Sequence, residues 1–388
     1  MLRVINGLKK INKNIELGQS KRRKIKQDIL PVFKYPISKG DDRRVYVWGL
    51  AEHGALGTIE KTLFKQGIAY LPMPRRLTFA EKHKVVDVAC GYGFTAFAIS
   101  SSDKNIIYGS GINTDSQLGF QEVNKIFLNV VTSPRPINLP LKNSTTEVIS
   151  IAAGRAHLLI LTNEGVFTLE SGEVYTFGWG ADGQTGLAHY RNEHQPSLVK
   201  GDLAGQHIIK VACVADCVLA LSDKGKVFGW GNSEYGQLLI DNDNYQVNIA
   251  TELNISKEVG HIVDIAAGGC FCMILNSSGE VYVWGYGILG LGPQVQRVLK
   301  PTLIPSTLFG NNAYSRNNKV INIYCGISHL AAVTNTGDLY MWGCNKFGSL
   351  GLGHNNDQFF PLKVSIGAHV KKVACGIDHT VTLCKPFI

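Results

Sequence analysis

Apolar and polar positions alternate along this chain in two recurring registers. The first is a β-rich run closed by a glycine and followed at fixed spacing by a turn: VYVWGLAEHGALG at 45–57, IIYGSGINTDSQLG at 106–119, VYTFGWGADGQTG at 174–186, VFGWGNSEYGQLL at 227–239, VYVWGYGILGLG at 281–292 and LYMWGCNKFGSLG at 339–351. The strand-ending residues are Gly49, Gly111, Gly178, Gly231, Gly285 and Gly343, and five positions on stands another glycine in every copy but one, where Ser116 replaces it. A strand that must end, reverse and restart within a few residues needs positive φ, which glycine adopts without a Cβ penalty. The second register is VACGYGFTAFAIS (88–100), IAAGRAHLLILT (151–162), VACVADCVLALS (211–222), IAAGGCFCMILN (265–276), IYCGISHLAAVT (323–334) and VACGIDHTVTLC (373–384). Each copy predicts two short buried strands about a small-residue turn.

Six copies of each register, 50 to 67 residues apart, predict an all-β propeller with six recognisable blades. One four-stranded blade cannot bury both its faces, whereas blades stacked radially bury each other. The order of the registers also predicts closure. The repeats begin with a strand-to-turn copy at Val45 and end with a small-residue copy at Cys384, so an N-terminal strand pairs with the C-terminal strands to complete one blade and remove exposed edges.

One interval breaks the pattern. From the fourth residue of a small-residue copy to the next strand-ending glycine the distance is 17 in three units and 20 in the first, but 24 from Gly154 to Gly178. The excess of seven equals the distance from Gly165 to Gly172, where NEGVF is followed by a near-duplicate GEVY. The simplest account is an apparent blade deletion near 165–172 that fused one strand start to the next; a seven-residue loop insertion is the alternative.

Charge changes the picture only at the N-terminus. Residues 1–27 carry nine Lys/Arg and one Glu, whereas the remaining 361 residues carry 30 basic and 29 acidic side chains. Leu2, Ile5, Leu8, Ile11 and Ile15 recur at helical spacing beside Arg3, Lys9, Lys10 and Lys13, the composition of a mitochondrial targeting segment. Residues 1–40 are therefore expected to be a targeting segment and linker, and 41–388 the propeller. A basic tail and a nuclear address at Lys21–Lys26 are the alternatives. No run of 18 apolar residues occurs, so no transmembrane helix is expected, and membrane association would be peripheral.

Candidate chemistry is sparse. GWGADG (178–183) and GYGILG (285–290) match a dinucleotide-binding pattern but lie in register with the repeat and open no helix; no phosphate-binding loop motif occurs. Cys270-x-Cys272 and Cys213-x3-Cys217 fall on apolar small-residue strands, short of the four donors of a zinc site. No metal, cofactor or covalent catalytic residue is expected, and the nine cysteines read as reduced core residues. His157, His329 and His379 recur at one blade position, where other copies have Phe94, Cys217 and Phe271, which argues for packing. Arg155, Asp216, Ser328 and Asp378 vary on the turns beside them.

The alternation of glycine turns with ACGxxH resembles the regulator of chromosome condensation (RCC) repeat family, whose members form seven-bladed propellers. GWGADGQTGL, GDLAG, GWGNSEY, VWGYGILG, PSTLFG and VACGIDHTVTL are similar to its mitochondrial, exchange-factor-like animal members over residues 45–388, short by one blade. The resemblance implies a guanine-nucleotide exchange factor for a mitochondrial GTPase, plausibly the dynamin-like inner-membrane fusion GTPase, at the matrix or inner membrane. The GTPase-facing candidates are then Arg155, His157, Asp216, Ser328, His329, Asp378 and His379. It also implies an alternative, an adaptor in mitochondrial ribosome assembly that binds large-subunit rRNA or its modification proteins, for which Arg75, Arg76, Lys82 and Lys84 are the candidate RNA contacts. The neutral body argues against general RNA binding, because affinity for phosphate backbones comes from clustered cations.

Overall fold

The period-two apolar runs become strands, and the strands become radial sheets. The computed structural model describes residues 35–40, 43–58, 70–100, 107–114, 117–119, 121–137, 148–154, 158–162, 174–178, 180–191, 193–240, 245–255 and 257–388. The expected targeting helix, Arg155, His157 and the duplicated stretch around 165–172 lie outside these residues. Among the described residues there are five four-stranded antiparallel sheets. Blade I is Val85–Cys90, Phe94–Ile99, Ile107–Ile112 and Val130–Pro136; blade III is Ile208–Cys213, Cys217–Ser222, Val227–Asn232 and Gln246–Glu252. Blade IV is Ile262–Ala267, Phe271–Asn276, Val281–Tyr286 and Arg297–Ile304, and blade V is Val320–Cys325, His329–Thr334, Leu339–Gly343 and Gln358–Lys363.

The fifth sheet is the closure blade. Ala368–Cys375 and His379–Pro386 pair with Arg44–Leu50 and Tyr70–Arg76, in a register that sets Arg44 against Cys384 and Gly49 against His379. The ends are clasped further, since Ser38 N–H donates to Pro386 O at 3.0 Å and Ile388 N–H to Pro36 O at 2.9 Å. Residues 36–38 thus belong to the propeller rather than to a linker.

The strand-ending glycine is imposed by its cross-strand neighbour. At Gly231 φ is +96°, and a Cβ there would stand 2.1 Å from the carbonyl oxygen of Asp216; at Gly49 φ is +99° and the clash is with Asp378 O at 2.3 Å. The ladder shifts register at this point, as between Gly229 and Gly231, so the strand bends where the turn begins.

Successive blades are fastened to each other by tryptophans and by ion pairs on buried carboxylates. The fully buried indoles of Trp48, Trp230 and Trp284 donate to Ser349 O, Gln184 O and Gln237 O, each on the loop of the preceding unit, at 2.6, 2.8 and 2.8 Å. Asp87 accepts from Lys372 of the closure blade at 2.5 Å and from the backbone N–H of Ile151 at 2.8 Å. Asp264 repeats the device, bonding Lys210 of blade III and the N–H of Ile323 of blade V at 3.0 Å. Each carboxylate therefore ties three consecutive units together, with both charges compensated as burial requires.

Between blades I and III the repeat differs from the six-blade expectation. Here stand two separate two-stranded sheets, Val148–Ala153 with Leu158–Thr162 and Tyr175–Gly178 with Glu193–Leu198. Among the described residues Leu158–Thr162 does not pair with Tyr175–Gly178, although the equivalent strands pair in all five complete blades. The two pairs also belong to different cores. Ile151 packs with Phe94, Ile107 and Val131 of blade I, whereas Val174 and Val199 pack with Phe228 and Trp230 of blade III. The inner pair is seated as a successor of blade I and the outer pair as a predecessor of blade III.

Candidate functional site

All blades run in the same direction, so the turns between their first and second strands lie on one face around the axis. Gly91, Gly154, Val214, Ile327 and Gly376 line a small opening there. The glycine of this turn is set by the residue three positions on. A Cβ at Gly376 would lie 2.3 Å from the ring of His379, at Gly326 2.5 Å from that of His329, and at Gly91 2.0 Å from that of Phe94. Blade III carries Cys217 in place of the ring, and there the turn admits Val214.

The recurring histidines do not reach the face. His329 and His379 are 0% and 1% exposed. The Nε2 of His329 lies 3.1 Å from Thr380 Oγ1 in the next blade, and that of His379 lies 3.0 Å from Thr95 Oγ1 in the next. Thr380 gives its hydroxyl proton to Ser349 O at 2.9 Å, so His329 donates through Nε2. Burial lowers the pKa of His329 to about 3, with His379 adding to the effect, and lowers that of His379 to about 4. Both are neutral bolts between blades, which corrects their candidacy as partner-facing groups. The same slot elsewhere holds Phe271 in one core with Leu330, Phe94 in one core with Leu158, and Cys217 with its sulfur 3.9 Å from that of Cys272. The slot chemistry is matched across blades: polar with polar, apolar with apolar, thiol with thiol.

What remains on the face is acidic and aromatic. Asp216 is half-buried and accepts from Gln184 Nε2 at 3.0 Å; Asp182, on the same loop as Gln184, accepts from Gln246 Nε2 at 2.7 Å. Asp378 is half-buried too, and desolvation raises its carboxyl pKa, an effect that Lys346 partly offsets. The carbonyl of Ser328 accepts from the backbone N–H of Cys344 at 2.9 Å. Asp216 and Asp378 therefore share a face but stand on blade III and the closure blade, in different sectors. Sequence reasoning missed Tyr235 and Tyr286, whose rings stack at 5.4 Å across blades III and IV with Glu234 alongside. The signal was available, since each follows a strand-ending glycine within the turn copy, where other repeats place varied residues.

The basic candidates occupy the opposite end of the ring. Arg75 and Arg76 end the outermost strand of the closure blade, Lys82 ends the single-turn helix Thr78–Lys82, and Lys84 leads into blade I. All four residues are exposed, but Arg76 forms a two-point ion pair with Glu81 at 3.0 and 2.5 Å, which reduces the net charge offered to a phosphate. Among the described residues no cluster of three His, Cys, Asp or Glu is arranged to hold a metal, and no helix is long and apolar enough to cross a membrane.

Comparison with known proteins follows the same outline. Models of the regulator of chromosome condensation (RCC1) repeat match residues 42–98, 171–221, 224–275, 278–333 and 336–383. The chain is 40% identical to the mouse protein named RCC1-like G exchanging factor-like protein over 425 aligned residues, covering 92% of this chain and 91% of that one. Identity to the human protein of the same name is also 40%, over 408 residues, covering 89% and 87%. Both alignments are longer than the 388 residues of this chain, so each relative contains residues with no counterpart here. The crystal structure of human WBSCR16 superposes with a TM-score of 0.81 at 38% identity, covering 88% of this chain and all of that one. Yeast Prp20p shares the fold, with a TM-score of 0.60 at 19% identity over 91% and 93% of the two chains.

Proposed function

This chain belongs to the RCC1 repeat family, and from that membership we propose that it is a guanine-nucleotide exchange factor acting in mitochondria, on a GTPase such as the dynamin-like one that fuses inner membranes. The names of the mouse and human relatives support exchange; the cationic, acid-poor first 27 residues support import. The observation that carries the reading is the turn face, where the histidines are withdrawn as bolts and Asp216, Asp378 and Ser328 are left at the surface.

Exchange needs no covalent step. A factor that binds the nucleotide-free GTPase more tightly than the loaded one weakens nucleotide binding by the same ratio. Carboxylates at the surface suit that task because they compete with the nucleotide's phosphates for the partner's lysine and Mg²⁺. The raised pKa of Asp378 means that it is held partly desolvated before binding, so less water must be removed when a cation approaches.

The test is release of fluorescent GDP from mitochondrial GTPases with and without the purified protein. Acceleration is expected with one of them, and Asp216→Ala combined with Asp378→Ala should reduce it about tenfold while leaving the fold intact. Absence of acceleration with every GTPase tested, alongside rRNA recovered by crosslinking through Arg75, Lys82 and Lys84, would replace this reading with the ribosome-assembly adaptor. Import is tested separately: a reporter carrying residues 1–40 should reach mitochondria and fail to do so when Arg3, Lys9, Lys10 and Lys13 become Glu.

A further inference from the structure

The interblade slot between blades III and IV differs from its sisters in one chemical respect. Where His329 meets Thr380 and His379 meets Thr95 through hydrogen bonds, Cys217 meets Cys272. Both thiols are buried, at 1% and 0% exposure, and their sulfurs are 3.9 Å apart. All nine cysteines are free in this structure. Bond formation requires the sulfurs to close from 3.9 Å to about 2.05 Å, a movement of about 1 Å for each.

We propose that Cys217 and Cys272 form a reversible disulfide that converts this slot from a contact into a covalent bolt and so regulates the turn that presents Asp216. The proposal rests on the exchange-factor reading only in its last clause. Hydrogen peroxide is the oxidant: one thiol displaces water from it and becomes a sulfenic acid, and the second thiol attacks that sulfur, forming the S–S bond and expelling a second water. A dithiol reductant returns both thiols.

Position makes the bond consequential. Cys217 directly follows Asp216, and Cys272 follows the turn of Gly268–Phe271, whose Gly269 O accepts from Gln237 beside the Tyr235–Tyr286 stack. The disulfide would join the acidic and aromatic groups of the face to one rigid frame. The slot tolerates such a change because Val214 and Cys217 have replaced the glycine and ring that fill it elsewhere. The contact with Cys272, burial and the adjacent Asp216 carboxylate, in that order, raise the pKa of Cys217, so its thiolate is scarce at neutral pH and oxidation should accelerate as pH rises.

The experiment is peroxide treatment of the full chain, alkylation under denaturing conditions and peptide mapping. A Cys217–Cys272 cross-link is expected, with two thiols lost per chain, reversed by dithiothreitol. Cys217→Ser or Cys272→Ser should abolish it, whereas Cys213→Ser and Cys270→Ser should not. Should the serine variants fail to fold, the alanine variants provide the same control. Peroxide that oxidises exposed Cys213 without linking 217 to 272, or that links two of Cys90, Cys325 and Cys375 instead, overturns the proposal. Regulation is read as a change of threefold or more in GDP release on oxidation, absent in Cys272→Ala. A cross-link without that change overturns the regulatory clause, and a protein inactive in both states with the cross-link present marks failure of the exchange reading instead.

Discussion

The arc running from blade III through IV, V and the closure blade to blade I, and the sector between blades I and III, are built from the same repeat but end in different states of burial. The third residue from the end of each innermost strand shows this most directly. Val88, Ile151, Ile265, Ile323 and Val373 are 0% to 2% exposed, whereas Val211 is 40% exposed. Each of the five buried residues packs into the core of the unit before it. Among the described residues Val211 has no such cover, because those of the unit before it form only the outer pair Tyr175–Gly178 and Glu193–Leu198. Cys213, two residues on, is exposed where Cys90, Cys325 and Cys375 are buried. The comparison teaches that a propeller blade does not bury itself, and that a repeat of correct sequence remains open where its neighbour is incomplete. We read the sector as the site of a lost blade, in line with the longer relatives, the seven-residue excess and the two strand pairs seated in separate cores.

Breaking the continuous arc should have the largest effect. Asp264→Ala leaves the buried N–H groups of Ile323 and Ile265 without their acceptor, and is expected to lower stability by about 4 kcal/mol, at about 2 kcal/mol for each stranded donor, measured by urea unfolding. The next test sets the two regions against each other. Ile265→Ala should lose about 3 kcal/mol, as buried large-to-small changes do, while Val211→Ala should fall within about 0.5 kcal/mol of the parent, as exposed substitutions do. Equal losses would show that Val211 is covered in solution and would remove the distinction. Repair of the interrupted sector is expected to be smaller. A blade-length segment from a longer relative inserted between Phe167 and Ser171 should raise Tm by roughly 5 °C, about 2 kcal/mol for a domain of this size, and reduce aggregation.

The smallest effect is titration of the bolts. His329 and His379 have folded pKa values of about 3 and about 4, below the ordinary 6.5. Their contribution is fully present above pH 6.5 and is lost as pH falls toward 4, because the unfolded chain then takes up protons that the folded slots refuse. From pH 7 to pH 6 the loss is about 0.7 kcal/mol per imidazole by linkage. His379→Gln should flatten that slope in a series of denaturation curves, and an unchanged slope would place the imidazole in water.

Much of the fold was legible because it is local. Strand-ending glycines marked every blade, and the split between Val45 and Cys384 foretold the closure that pairs Gly49 with His379. Less of the candidate site was legible. His329 and His379 recur like functional residues, yet their roles are set by Thr380 and Thr95, one blade further round the ring. The stacking of Tyr235 on Tyr286 likewise joins positions some 50 residues apart that no repeat pattern pairs. The exception at Val214 was visible as a departure but had no meaning until Cys217 was seen to leave room for it.

By itself the sequence determined which residues form strands, where each strand must bend and how the ends join, because alternation and positive-φ glycines act within a few bonds of their own position. The tertiary structure alone decided which histidines are bolts, which carboxylates reach the face and why Val211 is bare. Burial belongs to the neighbour as much as to the residue, and in a ring of blades the neighbour is supplied by a distant stretch of chain.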